Sequence, residues 1–78
     1  MDIINEHNYI HVDTCMSYEE TIAIVMTLTS KGFNASFCRI HDLDIYEVHV
    51  LKPTNGNITL SDVLDKLKAY GYVNAQLI

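Results

Sequence analysis

Apolar and polar residues alternate in four short runs of the chain, and apolar residues recur at helical spacing in two longer runs. Alternation with a period of two is typical of strands that bury one face. It predicts strands at residues 8–13, 34–40, 44–52 and 72–78. Helical spacing of Leu60, Val63, Leu64 and Leu67 predicts a helix that Thr59 and Asp62 begin as a capping box.

The other helix is predicted from weaker signals. Its segment, TIAIVMTLTS at residues 21–30, is rich in β-branched residues that favour strands. Ser17 followed by Glu20 resembles a capping box, which favours a helix instead. The expected inward stripe consists of Tyr18, Ile22, Val25 and Leu28. We therefore predict a helix that begins after Ser17 and ends at Gly32.

The chain writes one pattern twice, as LTSKGFNASF at residues 28–37 and as LKAYGYVNAQL at residues 67–77. In both copies a leucine is followed four residues later by a glycine and then by an aromatic residue. Gly32 and Gly71 therefore suit the position just after a helix, which favours a positive φ. The repeat predicts two similar β-α-β halves.

Two such halves predict an α+β fold, a ferredoxin-like βαββαβ sandwich that forms a single domain over residues 1–78. Right-handed crossovers give a four-stranded antiparallel sheet in the order 4-1-3-2, with both helices on one face. The uncovered side, which we term the open face, is expected to carry Tyr9, His11, Ile45, Glu47 and His49. Such an amphipathic surface suits a contact with a partner or a homodimer.

The open face raises the question of a metal site. His11 and His49 are expected to lie opposite each other, with Cys38 or Glu47 as a third ligand. The spacing of these residues matches no metal motif, and His49 beside Glu47 also suits a hydrogen-bonded surface pair. We expect no metal and no cofactor.

Catalytic motifs are missing from the sequence, so we expect no enzyme. Cys15 at the start of a predicted helix, with His11 four residues before it, is the one nucleophile and base pair to consider. The segment DTCMS that contains Cys15 is equally a plain loop between a strand and a helix. Cys15 and Cys38 are expected as buried or half-buried free thiols in a reducing compartment.

The net charge is −5, and five acidic residues precede Lys31, the first basic one. Such a surface repels nucleic acid and attracts a basic protein. The acidic residues expected to bind a partner are Glu6, Asp13, Glu19, Glu20, Asp42 and Asp44. No apolar run reaches the length of a membrane span and no signal peptide is evident, so we expect a cytoplasmic chain without membrane contact.

The segments YIHVDTCMSYEE, LTSKGFNASF, YEVHVLKP and LDKLKAYGYVNAQLI resemble the SPOR domain family, over residues 9–78. The resemblance implies a βαββαβ fold that binds peptidoglycan glycan strands stripped of peptides, here through His11, Thr14 and Tyr46. The family's Gly-Ser-Phe turn is replaced by Asp13, Thr14 and Cys15, and its strand-three arginine by Glu47.

Three functions follow from these observations. The first is a small non-enzymatic module that binds a basic protein, in the manner of phage or mobile-element inhibitors such as anti-CRISPR proteins that occupy a nucleic-acid groove. The second is the glycan binding that the resemblance implies. The third is a small-molecule regulatory module similar to ACT domains, which have the same topology.

Overall fold

The computed structural model describes residues 9–40, 42–53 and 57–78. The elements follow the predicted β-α-β-β-α-β order. They are β1 (Tyr9–Cys15), α1 (Tyr18–Ser30), β2 (Asn34–Arg39), β3 (Tyr46–Leu51), α2 (Leu60–Ala69) and β4 (Gln76–Leu77). Within these ranges, neither helix has the length and hydrophobicity that crossing a membrane requires.

The four strands form one antiparallel sheet in the order β2-β3-β1-β4. Read from its other edge, this order is 4-1-3-2. β1 and β3 are therefore the central strands, and each pairs with the other over most of its length. The pairing places His11 opposite His49 and Ile10 opposite Val50. Because paired residues share a face, the register fixes which side chains meet on each side of the sheet.

Both helices contribute to the same hydrophobic core as the inward face of the sheet, which makes this an α+β domain. Ile10, Val48 and Val50 are fully buried, as the alternation of β1 and β3 predicts. From the helices come Leu28, Leu60, Val63 and Leu67, all buried. The predicted stripe of α2 is confirmed. The other side of the sheet carries no helix from the described residues.

The inward face of α1 differs from the predicted stripe. Tyr18 is exposed and Ile22 only half-buried, whereas Thr21 is completely buried beside Leu28. Thr21 can enter the core because its hydroxyl donates a hydrogen bond of 2.7 Å to the Ser17 carbonyl oxygen. The side of α1 that faces the core therefore consists of Thr21, Ile24, Val25 and Leu28, of which Val25 and Leu28 belong to the predicted stripe. Ser17 caps the helix as predicted, since its side chain accepts from the Glu20 amide.

The two copies of the repeat end their helices in the same way. Gly32 and Gly71 have φ values of 94° and 106°, which confirms the prediction of positive φ. The amide of Phe33 donates to the Leu28 carbonyl at 3.1 Å, and that of Tyr72 donates to Leu67 at 3.0 Å. With the matching glycine bonds to Thr29 and Lys68, both endings are Schellman motifs.

The last strand is much shorter than predicted. β4 contains only Gln76 and Leu77, and Val73 is 71% exposed rather than part of a buried strand face. The amide of Val73 donates to the Gly71 carbonyl and that of Ala75 to the Tyr72 carbonyl, so these residues form tight turns. The second glycine cap thus continues into a turn where the first continues directly into β2.

Candidate functional site

Two connections meet at one end of the sheet. β1 and β2 both finish opposite Tyr46, the first residue of β3. The ring of Tyr18, at the start of α1, contacts both Phe37 and Tyr46 with centroid distances of 5.8 Å. The loop before α1 and the hairpin between β2 and β3 therefore lie side by side.

Most of the predicted acidic residues lie at this end of the sheet, and all of these are exposed. We term this group the acidic end; it consists of Asp13, Glu19, Glu20, Asp42 and Asp44. Among the described residues of this end, the one lysine or arginine is Arg39, which contacts Asp44 at 3.3 Å in an exposed pair. The negative charges of Asp13 and Glu20 both contribute to a raised pKa of the Cys15 thiol, so each lies near Cys15. Glu6 lies outside the described residues.

Exposed apolar side chains stand among these acidic residues. Met16 is 72% exposed in the segment that joins β1 to α1, and Tyr18, the first residue of α1, is 54% exposed. Leu43 is 49% exposed in the hairpin. Sequence analysis missed all three, because Tyr18 was placed in the core and the other two carry no periodic signal. The acidic end is therefore both charged and apolar.

A second group of residues forms on the open face at the centre of the sheet. His11, Glu47 and His49 bring one ligand atom each to within 4.8 Å of one another. His49 Nε2 lies 3.1 Å from Glu47 Oε1, and His11 Nε2 lies 3.2 Å from Thr14 Oγ1. Tyr9 packs on His49 with ring centroids 4.2 Å apart. Four of the five residues predicted for this face are thus in mutual contact.

The remaining residues of the open face surround this group. Ile45 is half-buried at the margin, just before β3 begins. Cys38 lies opposite Glu47 and Ser36 opposite His49 in the β2–β3 register. Both cysteines are free thiols, and Cys15 is buried as predicted. Cys38 is exposed, which corrects the prediction that it is at least half-buried, because it lies on a strand face that no helix of the described residues covers.

Cys15 and His11 do not form a nucleophile and base pair. Cys15 is buried against the core, whereas His11 lies on the open face beside Thr14. Burial raises the pKa of the Cys15 thiol, a hydrogen bond with Thr21 opposes this, and Asp13 and Glu20 add to it. A raised pKa keeps the thiol protonated, which is the reverse of what a nucleophile needs.

The residues that the glycan-binding resemblance implies are divided between the two sides of the sheet. His11 and Thr14 share the open face. Tyr46 points to the opposite side, where its ring packs against Tyr18 and Phe37. One surface made of all three residues is therefore not formed.

Basic residues cluster at the other end of the sheet. Lys31 follows α1, and its Nζ lies 5.2 Å from the centre of the Tyr70 ring. Lys31 and Lys66 of α2 line a groove of about 630 Å³, and Phe33 and Val50 also line it. The charge of the molecule is thus asymmetric from one end of the sheet to the other.

The fold and these surfaces define a small α+β domain with a charged, partly apolar end and a histidine-bearing open face. No family model, curated protein or solved structure matches the chain. Its function is consequently argued from its own residues.

Proposed function

We propose that the chain is a non-enzymatic, cytoplasmic protein-binding module that docks its acidic end on a basic surface of another protein. The observation that carries this proposal is the placement of Met16, Tyr18 and Leu43 among the acidic residues. Protein interfaces combine apolar anchors with a polar rim, and the acidic end supplies both. We further propose that the domain is a ferredoxin-like sandwich, which the element order and the strand order support.

Charge and apolar contact have separable roles in this docking. The carboxylates of Asp13, Glu19 and Glu20 attract a basic partner electrostatically, and added salt shortens the range of this attraction. Met16 and Leu43 contribute only on contact, when their exposed surface leaves water. Raising the salt concentration therefore weakens the first contribution and spares the second.

A narrower form of the proposal is that the partner's basic surface is a nucleic-acid groove. The acidic end then occupies the groove in place of phosphates, as an inhibitor from a phage or mobile element would. Competition distinguishes this form, because a DNA or RNA duplex added to the complex displaces the chain only if both use the same groove.

The experiment begins with capture of a partner from a bacterial lysate by the immobilised chain, followed by affinity measurements with the purified partner. We expect Asp13→Asn combined with Glu20→Gln to weaken binding by about tenfold at low salt, equivalent to ~1.4 kcal/mol. We expect Met16→Ala or Leu43→Ala to weaken it about fivefold at any salt concentration.

The chain supplies matched controls for both kinds of change. Asp65 is an exposed acid on α2, and Met26 is an exposed methionine on α1 outside the acidic end. Asp65→Asn and Met26→Ala should leave the affinity unchanged. Affinity that ignores salt and the acidic-end variants, and falls with His11→Ala instead, overturns the proposal in favour of the open face. Retention on denuded peptidoglycan without any protein partner overturns it in favour of glycan binding.

A further inference from the structure

We propose that the open face binds one divalent transition-metal ion through His11, Glu47 and His49. This site is separate from the acidic end and does not depend on the proposed docking. The three residues come from the two central strands, which hold them more rigidly than loops would.

The distances suit a single ion after small side-chain rotations. Zn²⁺ binds nitrogen and oxygen ligands at about 2.0–2.1 Å, which places tetrahedral ligand atoms about 3.4 Å apart. His49 Nε2 and Glu47 Oε1 are already 3.1 Å apart, close to that separation. All three ligand atoms lie within 4.8 Å of one another, so the widest pair has to approach by little more than 1 Å. A water molecule completes the coordination.

The ligand chemistry selects the class of metal. Two imidazoles and one carboxylate suit Zn²⁺, Cu²⁺, Ni²⁺ or Fe²⁺, whereas Ca²⁺ and Mg²⁺ require oxygen ligands. The side chains of His49 and Glu47 are only 14% and 31% exposed. Partial burial leaves one side of the cluster accessible to an ion while the sheet supports the other.

The surroundings of the cluster favour a cation. Among the described strand residues on the open face, none is a lysine or an arginine, and Arg39 lies on the other side of the sheet opposite Tyr46. The carboxylate of Glu47 therefore has imidazoles as neighbours rather than a permanent cation. Tyr9 packs on the His49 ring and Thr14 Oγ1 lies 3.2 Å from His11 Nε2, so each imidazole of the cluster has a neighbour that restricts its orientation.

The test is a calorimetric titration of the untagged chain with Zn²⁺. We expect one ion per chain with a Kd of about 10 µM or tighter. His11→Ala, His49→Ala and Glu47→Gln should each weaken binding at least about tenfold. His49→Gln serves as a second variant that keeps a polar group of similar size, and circular dichroism verifies that each variant is folded.

Three further variants exclude other ligands. The chain has two other histidines, so His7→Ala combined with His41→Ala should leave the affinity unchanged. Cys38→Ser should also retain binding, because the Cys38 sulfur is not in the cluster. The proposed ligand set is overturned if the parent chain shows no saturable binding, or if the His11 and His49 variants bind Zn²⁺ as tightly as the parent chain. Loss of binding in Cys38→Ser also overturns it. One ion per two chains overturns it as well, since the site would then lie between copies.

Discussion

At the scale of single residues, the sequence predicts the open face well and the chemistry of its neighbours poorly. Alternation alone places Tyr9, His11, Glu47 and His49 on one side of the sheet, because side-chain direction in a strand depends only on position. The pairing of His49 with Glu47, two residues apart on β3, is predicted and confirmed. The contact between His11 and Thr14 is not predicted, because it depends on a β-bulge between His11 and Asp13 that local sequence does not fix.

Cys15 gives the domain a predictable response to alkaline pH. Its folded-state pKa is raised, chiefly by burial, above that of the unfolded chain. The folded chain therefore keeps the thiol proton longer as pH rises. Its contribution to the free energy of unfolding is intact below the ordinary thiol pKa of about 8.5 and is lost progressively above it.

We expect urea denaturation at about pH 7.5 and about pH 9.5 to show a larger loss of stability in the parent chain than in Cys15→Ala. Cys38→Ala is the matched control, because Cys38 is exposed and its removal should leave the loss unchanged. An equal loss in the Cys15 variant and the parent chain would contradict the assignment.

At the scale of elements, the repeated pattern predicts the ends of both helices closely. It predicts the length of the following strand correctly for β2 but not for β4. Leucine, glycine and the following aromatic residue are all local to the Schellman motif, so their spacing is sufficient to define it. The length of β4 instead depends on where the chain meets β1, which is a tertiary property. The inward stripe of α1 is confirmed at Val25 and Leu28 and wrong at Tyr18 and Ile22. Burial of Thr21, which sequence periodicity does not predict, is accompanied by its bond to Ser17.

The two glycine caps should respond alike to substitution. A Cβ at Gly32 or Gly71 would meet no atom within 4 Å, so the cost comes from the positive φ alone. We expect Gly32→Ala and Gly71→Ala each to lower the free energy of unfolding by about 1–2 kcal/mol. Asparagine tolerates this conformation better, so Gly32→Asn and Gly71→Asn should cost less in thermal or urea denaturation. Equal costs for alanine and asparagine would show that strain at φ is not the cause.

At the scale of the whole molecule, the sequence gives the net charge but does not predict where the charged residues lie on the folded surface. The acidic residues come from the first strand, the first helix and the hairpin, and only the fold brings them to one end. Their mutual repulsion makes the folded state sensitive to ionic strength, since the Debye length falls from about 30 Å at 0.01 M to about 8 Å at 0.15 M.

We expect the melting temperature to rise by about 2 °C or more when sodium chloride is raised from about 10 mM to about 150 mM. Asp13→Asn should reduce this gain, because it removes one charge of the acidic end and keeps the bond from the Thr14 amide. Asp65→Asn should not reduce it, since Asp65 lies beside Lys66 on α2. If the melting temperature rises equally with salt in the parent chain and in both variants, the salt response comes from groups other than Asp13.

The shortness of β4 has a consequence for how copies of the chain behave when crowded. β4 pairs only with Ile10 and His11. Among residues 9–40, 42–53 and 57–78, the second half of β1 therefore has β3 on one side and no strand on the other. An unpaired edge of this kind recruits strands from other molecules and seeds aggregates. Here the bulge between His11 and Asp13 breaks the regular spacing of the amides along that edge, and the charge of Asp13 stands beside it. We therefore expect the bulge and the Asp13 charge to hinder the addition of strands from other molecules at this edge of β1.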